Sequence, residues 1–328
     1  MTNILISLGI TALVVVTTQE VLGLRMHSFA VLVLYFGLYA GVSWIRSRRT
    51  RTDADFPDDA PPDRSEWPLS GPLASLGRWV GGGLFALIFT VTGALSLLNP
   101  LQFAQMVRQI TWNGRLQARE KERATSGTSY TNKVEYRLPF KGEWWVFNGG
   151  MTPKTSHSWD ILGQRFALDF VKVDGELRRH RGKGIRLEEY LCYDEPILAA
   201  ADGAVVRVEG RISDAPLVGF GFCDFLARSF IGNHVLIRHA EGEYGLYAHL
   251  VPGSLQVEPG DRVEQGQPIG RCGHSGHSSE PHLHFHLQDA PELFGGMGLP
   301  VTFVSVEVDG EPVPSARLVA GRRIRNLR

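Results

Sequence analysis

Hydrophobic residues are concentrated in the first hundred positions of the chain, where they form three long runs. The runs cover residues 4–18, with a possible extension to 24, then 28–45 and 79–98. A transmembrane helix needs about 20 predominantly apolar residues. The third run has that length, the second is slightly shorter, and the first reaches it only by continuing past Gln19 and Glu20. The pattern therefore predicts an α-helical membrane region in residues 1–100.

A cluster of arginines sets the orientation that we expect for this region. Arg46, Arg48, Arg49 and Arg51 directly follow the second run. Basic residues beside a span are enriched on the cytoplasmic side of membranes. We therefore expect the loop 46–77 to be cytoplasmic and the third span to carry the chain outward. The sequence thus predicts a multi-pass protein of the cell membrane, anchored in the lipid bilayer, with its C-terminal part extracytoplasmic.

From about residue 133 the pattern changes to short alternating stretches that are separated by glycine. Strands are expected at 134–138, 144–147, 197–208, 234–239, 244–250 and 282–288. Alternation of apolar and polar residues is typical of half-buried strands, and no helical periodicity of useful length appears. We therefore expect a mostly antiparallel β domain at 133–308, after a linker at 101–132 and before a C-terminal tail at 309–328.

The charge composition of the chain argues against one class of function. The chain of 328 residues carries 34 basic and 34 acidic side chains. Nucleic-acid binders neutralise phosphates with an excess of lysine and arginine. The balanced charge therefore argues against a dedicated nucleic-acid partner.

Three histidines alternate with large apolar residues near the end of the predicted domain. In a strand, Leu283 and Phe285 point to one face, while His282, His284 and His286 point to the other. Neutral imidazole is the commonest side-chain metal ligand. The stretch therefore predicts a metal site on one face of this strand, with a hydrophobic core on the other.

Four motifs in this order resemble the LytM/lysostaphin-type zinc metallopeptidases, which have the duplicated-hybrid-motif fold. They are a Gly-Asn-His strand at 232–237, Tyr-Ala-His-Leu at 247–250, a glycine-spaced pair of turns at 257–270, and Pro-His-Leu-His-Phe at 281–285. The resemblance covers roughly 138–289. It implies one zinc ion, held by two histidines and an aspartate, and two further histidines that assist the chemistry. Matched by motif, His284 and Asp169 are zinc ligands, whereas His249 and His282 are catalytic.

The first zinc ligand departs from the family pattern. That pattern places a histidine four residues before the aspartate, where this chain has Arg165. A guanidinium stays protonated and offers no lone pair to a metal. The resemblance makes His157 the best candidate for the missing ligand, and His180, inside a basic run, is the weaker alternative.

The function that the resemblance implies is hydrolysis of peptide bonds in cell-wall peptidoglycan by a zinc-activated water. Two alternatives stay open. The chain could be a non-catalytic LytM-type regulator or cell-wall-binding protein, or a zinc peptidase that acts on a substrate outside the wall. His286 stands where many members of the family carry glutamate, and it could orient a ligand or face the substrate.

Overall fold

The computed structural model describes residues 62–124 and 130–327, together with the isolated positions 10, 11, 14 and 15. The first two predicted spans, 4–24 and 28–45, therefore lie almost wholly outside the described residues. The third predicted span is present as a helix. The segment Pro72–Leu98 is the one described helix that is long and apolar enough to cross a membrane, judged by length and composition.

Two α-helices precede a β domain. Helix α1 is Gly77–Leu95 and helix α2 is Pro100–Ala124, and short 3-10 turns flank α1 at Pro72–Leu76 and Ser96–Leu98. Further 3-10 turns are Leu162–Gln164 and Leu187–Glu189. The strands are β1 (Trp144–Asn148), β2 (Leu168–Val171), β3 (Pro196–Leu198), β4 (Gly203–Glu209), β5 (Asn233–Ala240), β6 (Glu243–Leu250), β7 (Arg262–Val263), β8 (Pro268–Arg271), β9 (Leu283–Gln288), β10 (Gly298–Leu299), β11 (Phe303–Val308), β12 (Glu311–Ala316) and β13 (Arg323–Asn326).

Most strands belong to a single sheet, and all its ladders between these strands are antiparallel. Its order is β12-β11-β13-β1-β2-β9-β6-β5-β4-β7, and β10 is added beside β9, while β3 and β8 form a separate pair. This confirms the mostly antiparallel β fold that the sequence predicts. The strands β2, β9 and β6 lie side by side at its centre.

The main hydrophobic core packs on one face of this central region. Leu283 and Phe285 of β9 are fully buried and belong to the same cluster as Phe170, Tyr247 and Phe303. The rings of Phe285 and Tyr247 have centroids 5.0 Å apart. The alternation read from the sequence therefore assigns the correct face of β9 to the core, and the three histidines lie on the other face.

The structure differs from the expected boundaries at both ends of the β domain. Residues 309–328, expected as a tail, form the strands β12 and β13, and β13 pairs with β1. Residues 101–132, expected as a helix that fades into a polar linker, contain α2 up to Ala124. The strand expected at 134–138 is reduced to one bridge, between Tyr136 and Phe303. Each difference arises because contacts distant in sequence, rather than local pattern, decide these segments.

Both ends of the Pro72–Leu98 helix rest on the β domain. At the N-terminal end, the Gly71 N–H donates to His180 Nε2 over 3.0 Å. Near the C-terminal end, Thr92 Oγ1 accepts a 3.0 Å hydrogen bond from the Cys223 N–H, and Asn99 Nδ2 donates to the Phe225 carbonyl over 3.0 Å. The helix therefore lies along the domain instead of projecting away from it.

The first prediction concerns stability against acid. Burial lowers the pKa of His239 and of His274 to about 4, well below the unfolded value of about 6.5. Below pH 6.5 the unfolded chain takes up protons that the folded chain does not, so stability falls as the pH drops from 6.5 towards 4. Each such histidine contributes a slope of about 1.4 kcal/mol per pH unit in the free energy of unfolding.

Denaturant unfolding of the chain in detergent, followed by tryptophan fluorescence across this pH range, measures that slope. The variant H239Q, whose amide can still bond the Tyr247 hydroxyl, should have a shallower slope than the parent. An unchanged slope in H239Q would contradict the assignment to this histidine.

Candidate metal centre

The register of two neighbouring strands brings the predicted aspartate and histidine ligands together. In the β2–β9 ladder, Asp169 lies directly opposite His284. Side chains directly opposite each other in antiparallel strands share a face of the sheet. As a result His284 Nδ1 lies 3.0 Å from Asp169 Oδ1.

His157 completes a group of three potential ligands. It lies in the loop between β1 and β2, and its Nε2 is 3.4 Å from Asp169 Oδ2. His157, Asp169 and His284 each offer one ligand atom, and these three atoms lie within 4.8 Å of one another. Ligand atoms in a tetrahedral zinc site, about 2.0–2.2 Å from the metal, lie roughly 3.3 Å apart. Both the chemistry and the spacing of this donor set therefore fit a zinc ion.

The two other candidates for the first ligand are held elsewhere. His180 Nε2 already accepts the Gly71 N–H at the start of the α1 segment. Arg165 forms an ion pair with Glu120 of α2, and its guanidinium lies over the Trp159 ring, 4.4 Å from the centroid. The position that a histidine occupies in the family pattern is thus used here to attach α2.

The carboxylate at the centre of the group is buried and ionised. Burial by itself would raise the pKa of Asp169, but the neighbouring His157, His282 and His284 outweigh it and hold that pKa well below its usual range. Asn148 Nδ2 donates a 2.9 Å hydrogen bond to Asp169 Oδ2. Asp169 is therefore deprotonated at neutral pH, the form in which a carboxylate binds a metal.

A chain of hydrogen bonds along β9 fixes which nitrogen of His284 faces the metal position. Gln288 Nε2 donates to the Glu292 carbonyl over 3.2 Å, and Gln288 Oε1 faces His286 Nε2 at 3.2 Å. His286 Nε2 must then carry the proton, so His286 Nδ1 accepts from His284 Nε2 at 2.9 Å. This leaves the lone pair of His284 Nδ1 directed towards Asp169.

His249 and His282, the two predicted catalytic histidines, form a pair beside the ligands. Their ring centroids are 4.7 Å apart, and His282 Nε2 lies 3.7 Å from Asp169 Oδ1. In each ring Nδ1 faces a backbone carbonyl at 2.8 Å, that of Ser275 for His249 and that of Glu280 for His282. A carbonyl can only accept, so both Nδ1 atoms carry protons and both Nε2 atoms keep a lone pair in the neutral rings.

His249 reaches the site through an unusual backbone conformation. Its φ is 63°, in the left-handed region that non-glycine residues rarely adopt. Ala248 lies opposite His284 in the β6–β9 ladder, so a regular strand would send the next side chain to the other face. Gly273 accommodates this backbone, because a Cβ there would lie 2.8 Å from the His249 carbonyl oxygen. The strain is located at the site, where backbone outliers tend to cluster.

Burial keeps His249 neutral. It lowers the pKa of His249 well below the usual value, and the neighbouring His282 and His284 lower it further. At neutral pH the ring can therefore accept a proton at Nε2.

The remaining histidines have structural positions. His234 Nδ1 bonds the Gly232 carbonyl, and His239 bonds the Asp202 carbonyl and the Tyr247 hydroxyl. His274 is fully buried and bonds Ser278. His277 bonds Ser96 at the end of α1 over 2.8 Å. Sequence alone could not separate these roles, because each depends on contacts between distant segments.

The site lies in a cleft of about 500 Å³. One side of the cleft carries the five histidine and aspartate residues of the site. The other side is formed by α1, α2 and the turn between them, through Phe89, Gly93, Ser96, Leu97, Met106 and Gln109. No signal in the sequence linked these helices to the site.

Comparison with known proteins identifies the class to which this site belongs. Residues 178–294 match the model of Peptidase family M23, so the chain carries a domain of that family. The matched residues include His249, His282 and His284, whereas His157 and Asp169 precede them and are assigned by the geometry above.

The curated relatives are longer proteins, and their names describe different roles. The chain is 30% identical over 140 residues to the cell division protein DipM of Caulobacter vibrioides, covering 43% of this chain and 19% of that protein. It is 33% identical over 116 residues to the peptidoglycan DD-endopeptidase ShyC of Vibrio cholerae, covering 35% and 21%. It is 27% identical over 172 residues to the murein hydrolase activator EnvC of Escherichia coli, covering 52% and 34%. The chain thus spans about a fifth of the length of the first two.

Solved structures with similar segments include two M23 catalytic domains. That of a variant of the prophage-encoded EnpA from Enterococcus faecalis is 18% identical, with a TM-score of 0.28, covering 52% of this chain and 91% of that one. That of lysostaphin from Staphylococcus simulans is 20% identical, with a TM-score of 0.26, covering 52% and 88%. With scores this low, the fold assignment rests on the strands and registers described above.

The second prediction tests His157 as a ligand. Replacing His157 with Ala leaves two protein ligands and should weaken zinc binding by more than the roughly 10–100-fold that loss of an outer hydrogen-bond partner costs. Competition with a fluorescent zinc chelator measures the affinity. His180→Ala is the matched control and should bind zinc like the parent. Equal affinities for the two variants would contradict the assignment.

The third prediction concerns His286. His286→Leu removes the acceptor that fixes the tautomer of His284 but keeps a buried side chain of similar size. Zinc affinity should fall about 10–100-fold, the usual cost of losing a partner that orients a ligand. The same competition assay measures this, and circular dichroism controls for folding. His286→Gln, which can still accept a hydrogen bond, should recover part of the affinity; recovery no better than with leucine would contradict the orienting role.

Proposed function

We propose that this protein is a membrane-anchored zinc endopeptidase that hydrolyses peptide bonds of cell-wall peptidoglycan. The observation that carries the proposal is the convergence of His157, Asp169 and His284 on one metal position, with His249 and His282 beside them. The name of the relative ShyC, a peptidoglycan DD-endopeptidase, supports this choice of substrate.

The residues of the chain divide the chemistry between them. His157, Asp169 and His284 would hold one zinc ion, which supplies an activated water and polarises the scissile carbonyl. The Nε2 atoms of His249 and His282, each with a free lone pair, accept or deliver protons in the cleft. Asp169 and the His284–His286–Gln288 chain keep the ligands oriented.

We also propose that the N-terminal apolar segments anchor the chain in the cell membrane, as a multi-pass protein, and that the peptidase domain faces the cell wall. The candidate membrane helix Pro72–Leu98 supports membrane attachment. The named substrate of the relative ShyC supports the location on the wall side.

A second function is favoured by one comparison. The relative EnvC, described as a murein hydrolase activator, matches over 172 residues and 52% of this chain. A regulator on this fold would need the cleft for binding a partner but not the metal. Against it stands the full set of three ligands and two adjacent histidines, which binding alone does not require.

The fourth prediction separates the two functions. The full chain in detergent should contain stoichiometric zinc by elemental analysis and release peptide fragments from purified peptidoglycan, detected by mass spectrometry. His282→Ala should keep zinc, because His282 is not one of the three ligands, and lose at least about a hundredfold in rate. His234→Ala, a buried histidine outside the cleft, is the control. Zinc-free, inactive parent protein that still binds peptidoglycan would support the regulator instead.

A further inference from the structure

The first half of helix α2, residues 100–111, has its polar side against the protein and its apolar side outward. Gln102 is fully buried, and its Nε2 donates to the carbonyls of Asp224 and Ala227 over 2.7 and 2.8 Å. Gln105 donates to the Arg228 carbonyl over 2.7 Å and accepts the Phe230 N–H. A surface helix of a water-soluble protein has the opposite arrangement, with its apolar stripe facing the core.

Polar attachment continues along the rest of the inner side. Asn113 exchanges two hydrogen bonds with the loop before β2, to the Asp160 carbonyl over 2.9 Å and from the Leu162 N–H over 2.8 Å. Glu120 pairs with Arg165. Gln102, Gln105, Asn113 and Glu120 are separated by 3, 8 and 7 positions, which are close to whole helical turns, so the four residues lie on one side of the helix.

The outward sides of the two helices both carry exposed apolar side chains, which together we call the α1–α2 surface. Its members are at least a third exposed although they are large and hydrophobic. They are Trp79, Val80, Leu84, Leu87 and Val91 of α1, Leu98, and Leu101, Phe103, Val107 and Ile110 of α2. Leu226, 72% exposed, lies in the domain loop that Asn99 and Gln102 bind, and it extends this surface. Contiguous exposed apolar patches mark interaction surfaces.

The docking of α1 limits how this surface can meet a membrane. The segment Pro72–Leu98 has 27 residues, so it is about 40 Å long, whereas the hydrocarbon core of a bilayer is about 30 Å thick. Gly71 at one end and Asn99 at the other are both hydrogen-bonded to the same β domain. A helix held in this way cannot place its ends on opposite sides of a bilayer.

We propose that the α1–α2 surface lies in the plane of a lipid bilayer, with its apolar side chains in the interface and the β domain on the aqueous side. Charge supports lipid as the occupant: Arg115 of α2 is exposed beyond the apolar half of this helix, and Arg108 is exposed between Val107 and Ile110, so both can reach anionic headgroups. Arg115 stacks on Trp112, 4.9 Å from its ring centroid, and tryptophan is enriched at this level of the membrane. The sequence instead predicts that 79–98 crosses the membrane. In the placement proposed here the loop 46–77 lies on the same side of the bilayer as the β domain, which is the wall side under the proposed function, and not on the cytoplasmic side expected from its arginines.

This placement has a consequence for the substrate, which rests on the proposed function. Phe89, Leu97 and Met106 line the metal cleft from the same two helices that carry the α1–α2 surface. The cleft therefore opens at the level of the bilayer. The substrate class that fits is a peptide held close to the membrane surface.

Spin labels on the full chain in liposomes test the placement. Cysteines replace Leu76 and Leu98 at the two helix ends, Val107 on the α1–α2 surface, and Lys141, exposed on the β domain, as the aqueous control. The label at 107 should collide with oxygen and be shielded from a water-soluble nickel complex, and the control should show the reverse. The labels at 76 and 98 should lie at similar shallow depths in the same leaflet.

Three results would overturn the placement. Labels at 76 and 98 in opposite leaflets would mean that the helix crosses the bilayer. A label at 107 that the nickel complex reaches as easily as the control would mean that the surface is in water. A label at 107 shielded from both reagents would mean that a protein, such as a second copy of this chain, covers it.

Cleavage in the same liposomes tests the substrate class. One muropeptide is offered free in solution, attached to lipid through a spacer of a few residues, or attached through a long flexible spacer. If the cleft lies at the level of the bilayer, the protein should cleave both lipid-attached peptides, at rates within about threefold of each other. Cleavage of the free and long-spacer peptides but not the short-spacer peptide would overturn the inference. No cleavage of any of the three, with intact spin-label results, would instead count against the proposed function.

Discussion

The arrangement of this protein depends on one buried carboxylate, that of Asp169. A buried carboxylate is costly unless charges and hydrogen bonds compensate for it. Here His157, His282 and His284 surround it, and Asn148 donates to it. Burial raises the pKa of Asp169, and the surrounding histidines lower it to well below its usual range. The same contacts bring together the side chains that a metal peptidase needs. The groups that surround the buried carboxylate are therefore also the groups that form the site.

The register of the β-sheet brings these side chains together. Asp169 lies opposite His284, which in turn lies opposite Ala248, so three adjacent strands meet at one point of one face. A shift of a single residue in β9 would turn both His284 and Phe285 to the wrong face. Burial of Leu283 and Phe285 therefore stabilises the register, and the register positions the histidines. Core packing and metal geometry are coupled through one strand.

The helices add what the peptidase domain alone would lack, a second wall to the cleft. They are attached by glutamine, asparagine and glutamate side chains that bond to loops of the β domain, including the loop whose Arg165 replaces a ligand of the family pattern. In this chain Arg165 stands at that position and attaches α2 through its ion pair with Glu120. The side chains that attach the helices to the β domain therefore also hold the second wall of the cleft in place.

The sequence by itself determined whatever depends on local periodicity and on residue chemistry. Alternation at 282–288 predicts both faces of β9, and glycine-separated strands predict the antiparallel fold. The chemistry of arginine excludes Arg165 as a ligand, and the family resemblance makes His157 the best candidate, which the structure brings beside Asp169. Tertiary structure alone decided what depends on contacts between distant segments. It converted the expected tail into strands that pair with β11 and β1, turned His249 to the site through a left-handed backbone, and placed α1 along the domain. An apolar run in the sequence has the same composition whether it crosses a membrane or lies on one. The hydrogen bonds at the two ends of α1 fix where those ends lie relative to the β domain, and composition does not contain that information.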